Sequence, residues 1–188
     1  MVGNNKVQIL DYNSLSYYIK VNCKAQTVTI YTCDENGEYS IPIKSMLCST
    51  GIYTPLKGVY KISDKYDWRY LVGNVYGQYA TRITGQILFH SVPYLKKDKA
   101  TLKYWEYDKL GQFASQGCVR LTVEDSKWIY DYCKPGTQVE FYEDENPGPL
   151  GKPTEMKISE YSEELKNWDP TDPDINNPWL KIKKEKGE

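Results

Sequence analysis

The chain has a single histidine, His90, among its 188 residues. A catalytic dyad or a metal site that needs an imidazole therefore has only this side chain to use. Five cysteines are present, but no two of them show the C-x-x-C spacing that is typical of structural zinc sites. The sequence gives no support for such a site, and we expect no metal ion.

The chain also lacks an excess of charge and any long apolar run. Its 24 lysines and arginines nearly balance 25 aspartates and glutamates, which gives no basic face, so we expect no nucleic-acid partner. The longest apolar runs are a few residues long, so we expect no membrane span. The first five residues have neither a basic nor an apolar signal-peptide region. We expect a cytosolic protein or a fragment whose leader or anchor was removed.

Phenylalanine is scarce, with three residues against 18 tyrosines and five tryptophans. Amphipathic rings of this kind suit half-buried sheet surfaces and wet clefts that bind sugars or peptides. The number of cysteines is odd, so an exported chain would form up to two disulfides and keep at least one thiol free. That parity suits a reactive Cys118. An equally good interpretation is that Cys23, Cys33, Cys48 and Cys133 are unpaired and act as small hydrophobic residues.

The first 90 residues predict β-structure. Residues 17–21 and 27–31 alternate with period two and are separated by a polar turn, which indicates a hairpin. Asn36-Gly37 is a turn signal that leads into a strand over 39–46. Further strands are predicted at 58–63, 69–72, 79–83, 86–89 and 138–142. This spacing favours a sheet-rich sandwich or barrel over a βαβ fold.

One helix is predicted after Thr122, which has capping-box-like spacing to Asp125. Lys134-Pro135-Gly136 ends that helix. From about residue 145 the chain is rich in proline and charge, and its motifs at 168–173 and 176–179 exclude regular helix. We therefore divide the chain into a domain over 6–144 and a tail over 145–188. The tail either covers the domain or is mobile, and its two tryptophans favour the first alternative.

Cys118 and His90 are the residue types of a cysteine nucleophile and its base. A thiol attacks as its thiolate, and an imidazole either lowers its pKa or takes its proton. Gly117 removes a side chain where a substrate carbonyl would approach the backbone. Papain-like enzymes place the cysteine before the histidine and at the start of a helix. Here the histidine comes first and strands precede the cysteine, so that class does not fit.

Downstream of His90, the run Ser115-Gln116-Gly117-Cys118-Val119-Arg120 resembles the signature of the L,D-transpeptidase catalytic domain, or YkuD domain, of the Gram-positive type. Residues 54–60 (TPLKGVY) resemble the family's T-P-x-G-x-[FY] strand. Residues 120–130 resemble the helix after its nucleophile, and 135–139 resemble its closing strand. Together these pieces cover roughly residues 16–142 in the family's order.

The sequence departs from the family pattern in two places. Family members usually carry a histidine where Gln116 stands, so the chemistry here depends on His90 alone. The segment between His90 and Ser115 is also long for the family. We therefore predict an excursion over residues 94–113 that acts as a lid, the alternative being an ordinary surface loop.

The resemblance implies a mainly β fold: a YkuD-type β-sandwich or barrel of mixed sheets, with one helix after the catalytic cysteine and a long lid-like excursion. It makes residues 6–144 an L,D-transpeptidase catalytic domain and residues 145–188 a Pro-rich polar tail. No metal or organic cofactor is implied. The implied partners are peptidoglycan stem peptides and β-lactam inhibitors of the carbapenem type. We expect a monomer that acts in the cell wall, outside the cell.

The implied activity is that of a peptidoglycan L,D-transpeptidase. Cys118 would attack the carbonyl that joins the third-position diaminopimelate or lysine to D-alanine, and D-alanine would leave a thioester behind. His90 would assist the thiol and protonate the leaving amine, with its other ring nitrogen held by a backbone carbonyl. An amine of a neighbouring stem would then form a 3-3 cross-link. Two alternatives stay open: an L,D-carboxypeptidase that uses water, and a catalytically inactive wall-binding module.

The signature contributes four further candidate site residues. The backbone N–H groups of Cys118 and Gly117 would face the developing oxyanion. Arg120 either orients the loop or binds a substrate carboxylate, or it only shapes the site through a salt bridge or a clamp on a backbone carbonyl. Ser115 offers its backbone carbonyl or a structural hydroxyl. Gln116 is a polar residue of the site wall or a neutral filler.

Overall fold

The computed structural model describes residues 11–186, which form nine strands and four helices. The strands are β1 (Tyr17–Asn22), β2 (Thr27–Thr32), β3 (Ile41–Leu47), β4 (Gly58–Lys61), β5 (Lys65–Leu71), β6 (Val75–Thr84), β7 (Ile87–Ser91), β8 (Val119–Leu121) and β9 (Gln138–Tyr142). The helices are α1 (Tyr104–Tyr107), α2 (Val123–Tyr132), α3 (Glu163–Lys166) and α4 (Trp179–Lys186). Residues 6–10 of the predicted domain lie outside the described residues.

The strands form two mixed sheets, so the predicted mainly β class is confirmed. The first sheet has the order β3-β2-β1-β9-β4 and the second the order β5-β6-β7-β8. Two pairs, β1 with β9 and β7 with β8, are parallel, and the others are antiparallel. The parallel pair β7–β8 encloses residues 92–118, and this crossover contains the long excursion predicted from the sequence.

The main core contains buried residues of both sheets and of α2. Ile19, Val28 and Ile30 of the first sheet are fully buried together with Phe89 and Val119 of the second. Burying each such side chain stabilises the fold by roughly 1.5–3 kcal/mol. Because one of these strands, β7, carries His90, the same packing that holds the sheets together fixes the position of the candidate base.

The strand boundaries differ from the sequence predictions in instructive ways. β1 and β2 lie where the alternation predicts them, but β6 begins at Val75 and not at residue 79. Its first half contains Gly77 and Gln78, which break the apolar pattern. β8 was not predicted, because three residues are too few for a periodic signal.

Helix α2 begins as the sequence predicts. The Thr122 hydroxyl accepts a hydrogen bond from the Asp125 N–H at 3.2 Å. A second cap comes from far along the chain, because a carboxylate oxygen of Asp169 accepts from the Val123 N–H at 3.0 Å. Burial raises the pKa of Asp169 to about 6, against the effect of its hydrogen bonds from Thr171 and Val123. The N-terminus of α2, which follows β8 directly, is thus capped by the side chains of Thr122 and Asp169.

The tail covers the domain. Ile158 and Trp179 are buried in a second core together with Tyr94, Leu102 and Leu110, which belong to the excursion or its base. The tail also contains regular helix, because α4 begins at Trp179 directly after Pro178. The expectation that residues 176–179 exclude helix is therefore wrong at its last residue, since a proline just before a helix costs it no hydrogen bond. The boundary at residue 144 stays a prediction.

None of the helices within residues 11–186 has the length and apolarity needed to cross a bilayer. All five cysteines are free thiols, and Cys23, Cys48 and Cys133 are buried.

Candidate active site

The parallel pairing of β7 and β8 brings His90 and Cys118 to one face of the second sheet. The register places Phe89 opposite Val119 and His90 opposite Arg120. Cys118 lies in the bend directly before β8, two residues before Arg120. Cys118, His90 and Arg120 line one cleft of about 460 Å³. Two residues that lie 28 positions apart in the sequence thus face the same space.

His90 is held in one orientation by a backbone group. The residue is 2% exposed, and its Nδ1 lies 2.6 Å from the carbonyl oxygen of Ser91. A carbonyl only accepts, so Nδ1 carries the proton and Nε2 has a free lone pair. Burial lowers the pKa of His90 to about 4, with a smaller effect of Arg120 in the same direction and an opposing one of Ser91. The ring is therefore neutral at pH 7.

Cys118 is a half-buried thiol directly before β8. Its Sγ lies 3.4 Å from the carbonyl oxygen of Gln86. Burial raises the pKa of Cys118, while the Leu88 N–H, Arg120 and Arg82 oppose that shift. The resting site therefore pairs a neutral imidazole with a neutral thiol. Such a site requires a base that removes the proton as the nucleophile attacks.

The loop before Cys118 is fixed by hydrogen bonds to its three last carbonyl groups. The carbonyl of Gln116 accepts from the Tyr53 N–H at 2.8 Å, and that of Gly117 accepts from the Thr54 hydroxyl at 2.7 Å. The carbonyl of Cys118 accepts from the Ser115 hydroxyl at 2.6 Å. Among the hydrogen bonds of residues 11–186, none uses the N–H of Gly117 or Cys118 as donor. The peptide planes are thus fixed while these two donors stay available.

Gly117 is required by packing. A Cβ atom at this position would lie 2.9 Å from Cδ1 of Ile87 and 3.1 Å from Cβ of Tyr53. The space beside its α-carbon is therefore filled by protein. The glycine thus lets the loop approach Ile87 and Tyr53, and its role beside a substrate carbonyl stays a prediction.

The geometry fits a structural hydroxyl for Ser115 and a place in the site wall for Gln116. The Ser115 hydroxyl is structural, since it donates to the carbonyl of Cys118 within the same turn. Ser115 also forms a backbone bridge with Gly51. The side chain of Gln116 is exposed at the cleft wall, and its backbone carbonyl is held by Tyr53.

Arg120 forms an ion pair with Glu106 of α1, and both side chains are largely buried. Glu106 also accepts from Lys109 at 2.9 Å. Burial works to raise the pKa of Glu106, but Lys109 and Arg120 outweigh it and hold that pKa below its usual value. Of the two predicted roles of Arg120, the geometry fits the structural ion pair, which joins the excursion to the strand after Cys118.

The excursion lies beside the site, where a lid is predicted. Lys103 and Glu106 of the excursion line the cleft together with Pro93 directly before it, while Tyr107 and Leu110 are buried in the second core. The segment thus forms a packed wall of the cleft. Sequence reasoning did not identify Glu106 or the cleft residues Arg69 and Lys103, because no local motif relates them to Cys118.

Within residues 11–186, no group of three His, Cys, Asp or Glu side chains is placed to hold a metal ion. Residues 16–141 match the family model of the L,D-transpeptidase catalytic domain, YkuD. The chain is 35% identical over 133 residues to YciB of Bacillus subtilis (strain 168), whose name places it with the L,D-transpeptidases. That match covers 69% of this chain and 67% of YciB.

Two solved structures show the same fold. One is the LD transpeptidase LdtMt1 in complex with imipenem, with a TM-score of 0.53 and 19% identity over 68% of this chain and 59% of the other. The second is L,D-transpeptidase 3 from Mycobacterium tuberculosis in complex with a faropenem-derived adduct. Its TM-score is 0.51 at 22% identity, over 69% of this chain and 61% of the other. The chain thus spans about six tenths of the length of these proteins.

Proposed function

Because the chain belongs to the L,D-transpeptidase (YkuD) family, we propose that it is a peptidoglycan L,D-transpeptidase that forms 3-3 cross-links through a thioester on Cys118. One observation carries this proposal. His90 on β7 and Cys118, directly before the paired strand β8, line one cleft, beside a loop whose carbonyl groups accept hydrogen bonds and whose last two N–H groups stay available.

In the first step, Nε2 of His90 takes the proton of Cys118 as Sγ attacks the carbonyl carbon of the third-position residue. The N–H groups of Cys118 and Gly117 stabilise the negative charge on the carbonyl oxygen. The bond to the nitrogen of D-alanine then breaks, and His90 returns the proton to that nitrogen. D-alanine leaves as a neutral amine, and a thioester remains on Cys118.

In the second step, the side-chain amine of a neighbouring stem attacks the thioester, and His90 takes its proton. Sγ leaves with that proton and the 3-3 cross-link is complete. The same site works as an L,D-carboxypeptidase when water replaces the amine. Because peptidoglycan lies outside the cytoplasmic membrane, the proposed substrate places the enzyme at the cell wall.

β-Lactams with a reactive ring amide are expected to acylate the same thiol. The similar folds that hold imipenem or a faropenem-derived adduct support this expectation. The acylation step uses only Cys118, His90 and the two N–H donors, so it reports on the nucleophile without a second substrate.

The proposal is tested with purified disaccharide-tetrapeptides, the products being separated by liquid chromatography and identified by mass spectrometry. Cross-linked dimers together with free D-alanine are the expected products, and Cys118→Ala and His90→Ala are both expected to abolish them. Cys33→Ala removes another accessible free thiol and is expected to keep full activity. Tripeptides alone would instead identify the carboxypeptidase.

The reaction with imipenem distinguishes an active enzyme from the remaining alternative, the inactive wall-binding module. A single adduct on Cys118, absent in Cys118→Ala, is expected from an active enzyme. A folded protein that forms neither adduct nor product would be the inactive wall-binding module. Fast acylation of Cys118 in the His90→Ala protein would contradict the role of His90 as base.

A further inference from the structure

Four strands of the second sheet present a row of residues across the floor of the cleft. Arg69 on β5 lies opposite Gly77 on β6. The α-carbon of Gly77 faces the ring of His90, since a Cβ there would lie 2.9 Å from Nδ1. His90 on β7 in turn lies opposite Arg120 on β8. Directly paired residues project to the same face of a sheet, so an arginine stands on each side of the candidate base.

The two arginines differ in their partners. Arg120 is paired with Glu106, whereas the guanidinium of Arg69 stacks on the ring of Tyr66 at 4.7 Å. Within the described range, Arg69 has no carboxylate within salt-bridge distance and donates no hydrogen bond to a protein acceptor. Arg69 is half-buried and lines the cleft, so its N–H donors are not committed to the protein and are available to a ligand there.

Lys103 is a second cation of this kind. It is half-buried in the wall of the same cleft, and its ammonium group lies 5.5 Å from the ring centre of Trp105. Over residues 11–186 it too has neither an ion pair nor a hydrogen bond from its side chain. Its backbone N–H donates to the carbonyl of Pro93 at 2.9 Å. Tyr94 forms backbone bridges with both Tyr76 of β6 and Leu102. Lys103, the next residue after Leu102, therefore lies near the β5–β6 end of the row.

We propose that Arg69 and Lys103 form a carboxylate subsite that binds the C-terminal carboxylate of the donor peptide, that is, the carboxylate of the D-amino acid that leaves. The inference rests on the proposed function. It names the group of the donor that the site recognises and the residues that recognise it.

The direction of the substrate follows from the order of the strands. Cys118 attacks from the β8 side, and His90 on the next strand delivers the proton to the leaving nitrogen. The leaving residue therefore lies beyond His90 as seen from Cys118, towards β6 and β5. Its carboxylate is less than one residue length, about 3.5 Å, from that nitrogen. The carboxylate thus points to the end of the row where Arg69 can bind it with two parallel hydrogen bonds.

The experiment compares two donors, the tetrapeptide with a free C-terminal carboxylate and the same peptide with a C-terminal amide. The wild-type protein is expected to prefer the acid. Arg69→Gln and Lys103→Gln are each expected to lower kcat/KM for the acid by about 10- to 100-fold, the usual range for losing a hydrogen bond to a charged group. Each variant should lower kcat/KM for the amide much less than for the acid, so the preference for the acid is lost. Arg69→Lys should restore part of the preference, and Lys97→Gln, an exposed lysine of the same excursion, should have no effect.

An equal loss for both donors, or an acid preference that survives both substitutions, would overturn the subsite. The subsite would be overturned as well if the wild-type kcat/KM fell on amidation of a different carboxylate of the stem peptide and not on amidation of the C-terminal one. Calorimetric titration of both peptides into Cys118→Ala gives a readout that needs no turnover. The acid is expected to bind Cys118→Ala more tightly than the amide, and adding Arg69→Gln should abolish that difference. This result supports the subsite even when the wild-type protein forms no product. Equal binding of acid and amide would overturn it.

Discussion

The side-chain hydroxyl of Thr54 donates a hydrogen bond to the carbonyl oxygen of Gly117 at 2.7 Å, 63 residues away in the sequence. The hydroxyl oxygen of Thr54 also accepts a hydrogen bond from the Gly51 N–H at 2.8 Å. All three residues are buried. One side chain therefore fixes the peptide plane that precedes the nucleophile and ties it to the segment that runs alongside.

Thr54→Val is expected to slow the acylation of Cys118 at least 10-fold. Valine has nearly the same shape but leaves the Gly51 N–H and the Gly117 carbonyl without partners. We expect a loss of about 2 kcal/mol in the free energy of unfolding. Mass spectrometry of the imipenem adduct over time gives the rate, and urea denaturation gives the stability. Thr54→Ser keeps the hydroxyl and is expected to behave as wild type. Acylation of Thr54→Val at the wild-type rate would show that the loop needs no such clamp.

The ion pair of Glu106 and Arg120 is expected to couple the excursion to β8. Both side chains are more than four-fifths buried, at 12% and 15% exposure. Removing one partner leaves the other charge buried, so a double-mutant cycle with Glu106→Gln and Arg120→Gln should give a coupling of about 1–3 kcal/mol in unfolding free energy. Lys127 and Asp131, an exposed pair within α2, form the matched control. Their cycle should give about 0.5 kcal/mol or less. Equal coupling in the two cycles would mean that burial of the first pair adds nothing.

Much of this arrangement could be expected from the sequence, and the rest could not, for physical reasons. Cys118 and His90 were identifiable because their residue types and order define one chemistry. The pattern of β1 and β2 could be recognised because polar residues alternate with apolar or aromatic ones along most of each strand. Arg69 and Glu106 gave no local signal, since what makes them part of the cleft is strand pairing and a packed crossover.

The C-terminal segment shows the same limit. Its prolines correctly indicated irregular chain, but Asp169 caps α2 from 46 residues away, which no local pattern reports. The tryptophans indicated that the segment packs on the domain. The surface that receives them includes Tyr94 and Leu102, whose burial depends on the course of the excursion.

The stability of the fold is expected to depend on pH through His90. In the unfolded chain this histidine has a pKa near 6.5, and in the folded chain burial lowers its pKa to about 4. Between these values the unfolded state binds a proton that the folded state does not, so stability falls as the pH drops from 6.5 to 4. The full difference is about 3 kcal/mol. Urea denaturation of the wild type and of His90→Gln at pH 7, 5 and 4 isolates the contribution of His90, because the two proteins share all other titratable groups. Parallel pH profiles for the two proteins would refute the buried neutral imidazole.

Trp179 is expected to hold the tail on the domain. Its ring is 3% exposed, and its Nε1 donates to the carbonyl oxygens of Leu165 and Trp168. Trp179→Ala should lower the free energy of unfolding by about 3–5 kcal/mol. Ile175, which is 87% exposed four residues earlier, is the control, and Ile175→Ala should change stability by less than about 0.5 kcal/mol. Thermal or urea denaturation measures both. A small effect at both positions would mean that the tail contributes little to the stability of the folded state.

Gly77→Ala is expected to disable the site while leaving the fold in place. The new Cβ would lie 2.9 Å from Nδ1 of His90 and 3.0 Å from Cδ1 of Leu71. The backbone of Gly77 suits alanine, so the strain falls on these two side chains. The ring of His90 cannot yield without losing its hydrogen bond to Ser91. We expect a fall in kcat of at least 10-fold and a loss of about 1–3 kcal/mol in stability.

Adding Leu71→Ala to Gly77→Ala separates the two contacts. The double variant removes the clash with Leu71 but not the one with His90. Its rate of Cys118 acylation is therefore expected to stay as low as that of Gly77→Ala. Recovery of the rate in the double variant would show that Leu71, and not the displaced imidazole, caused the loss. A wild-type rate in Gly77→Ala itself would show that the position of His90 over β6 does not matter for the chemistry.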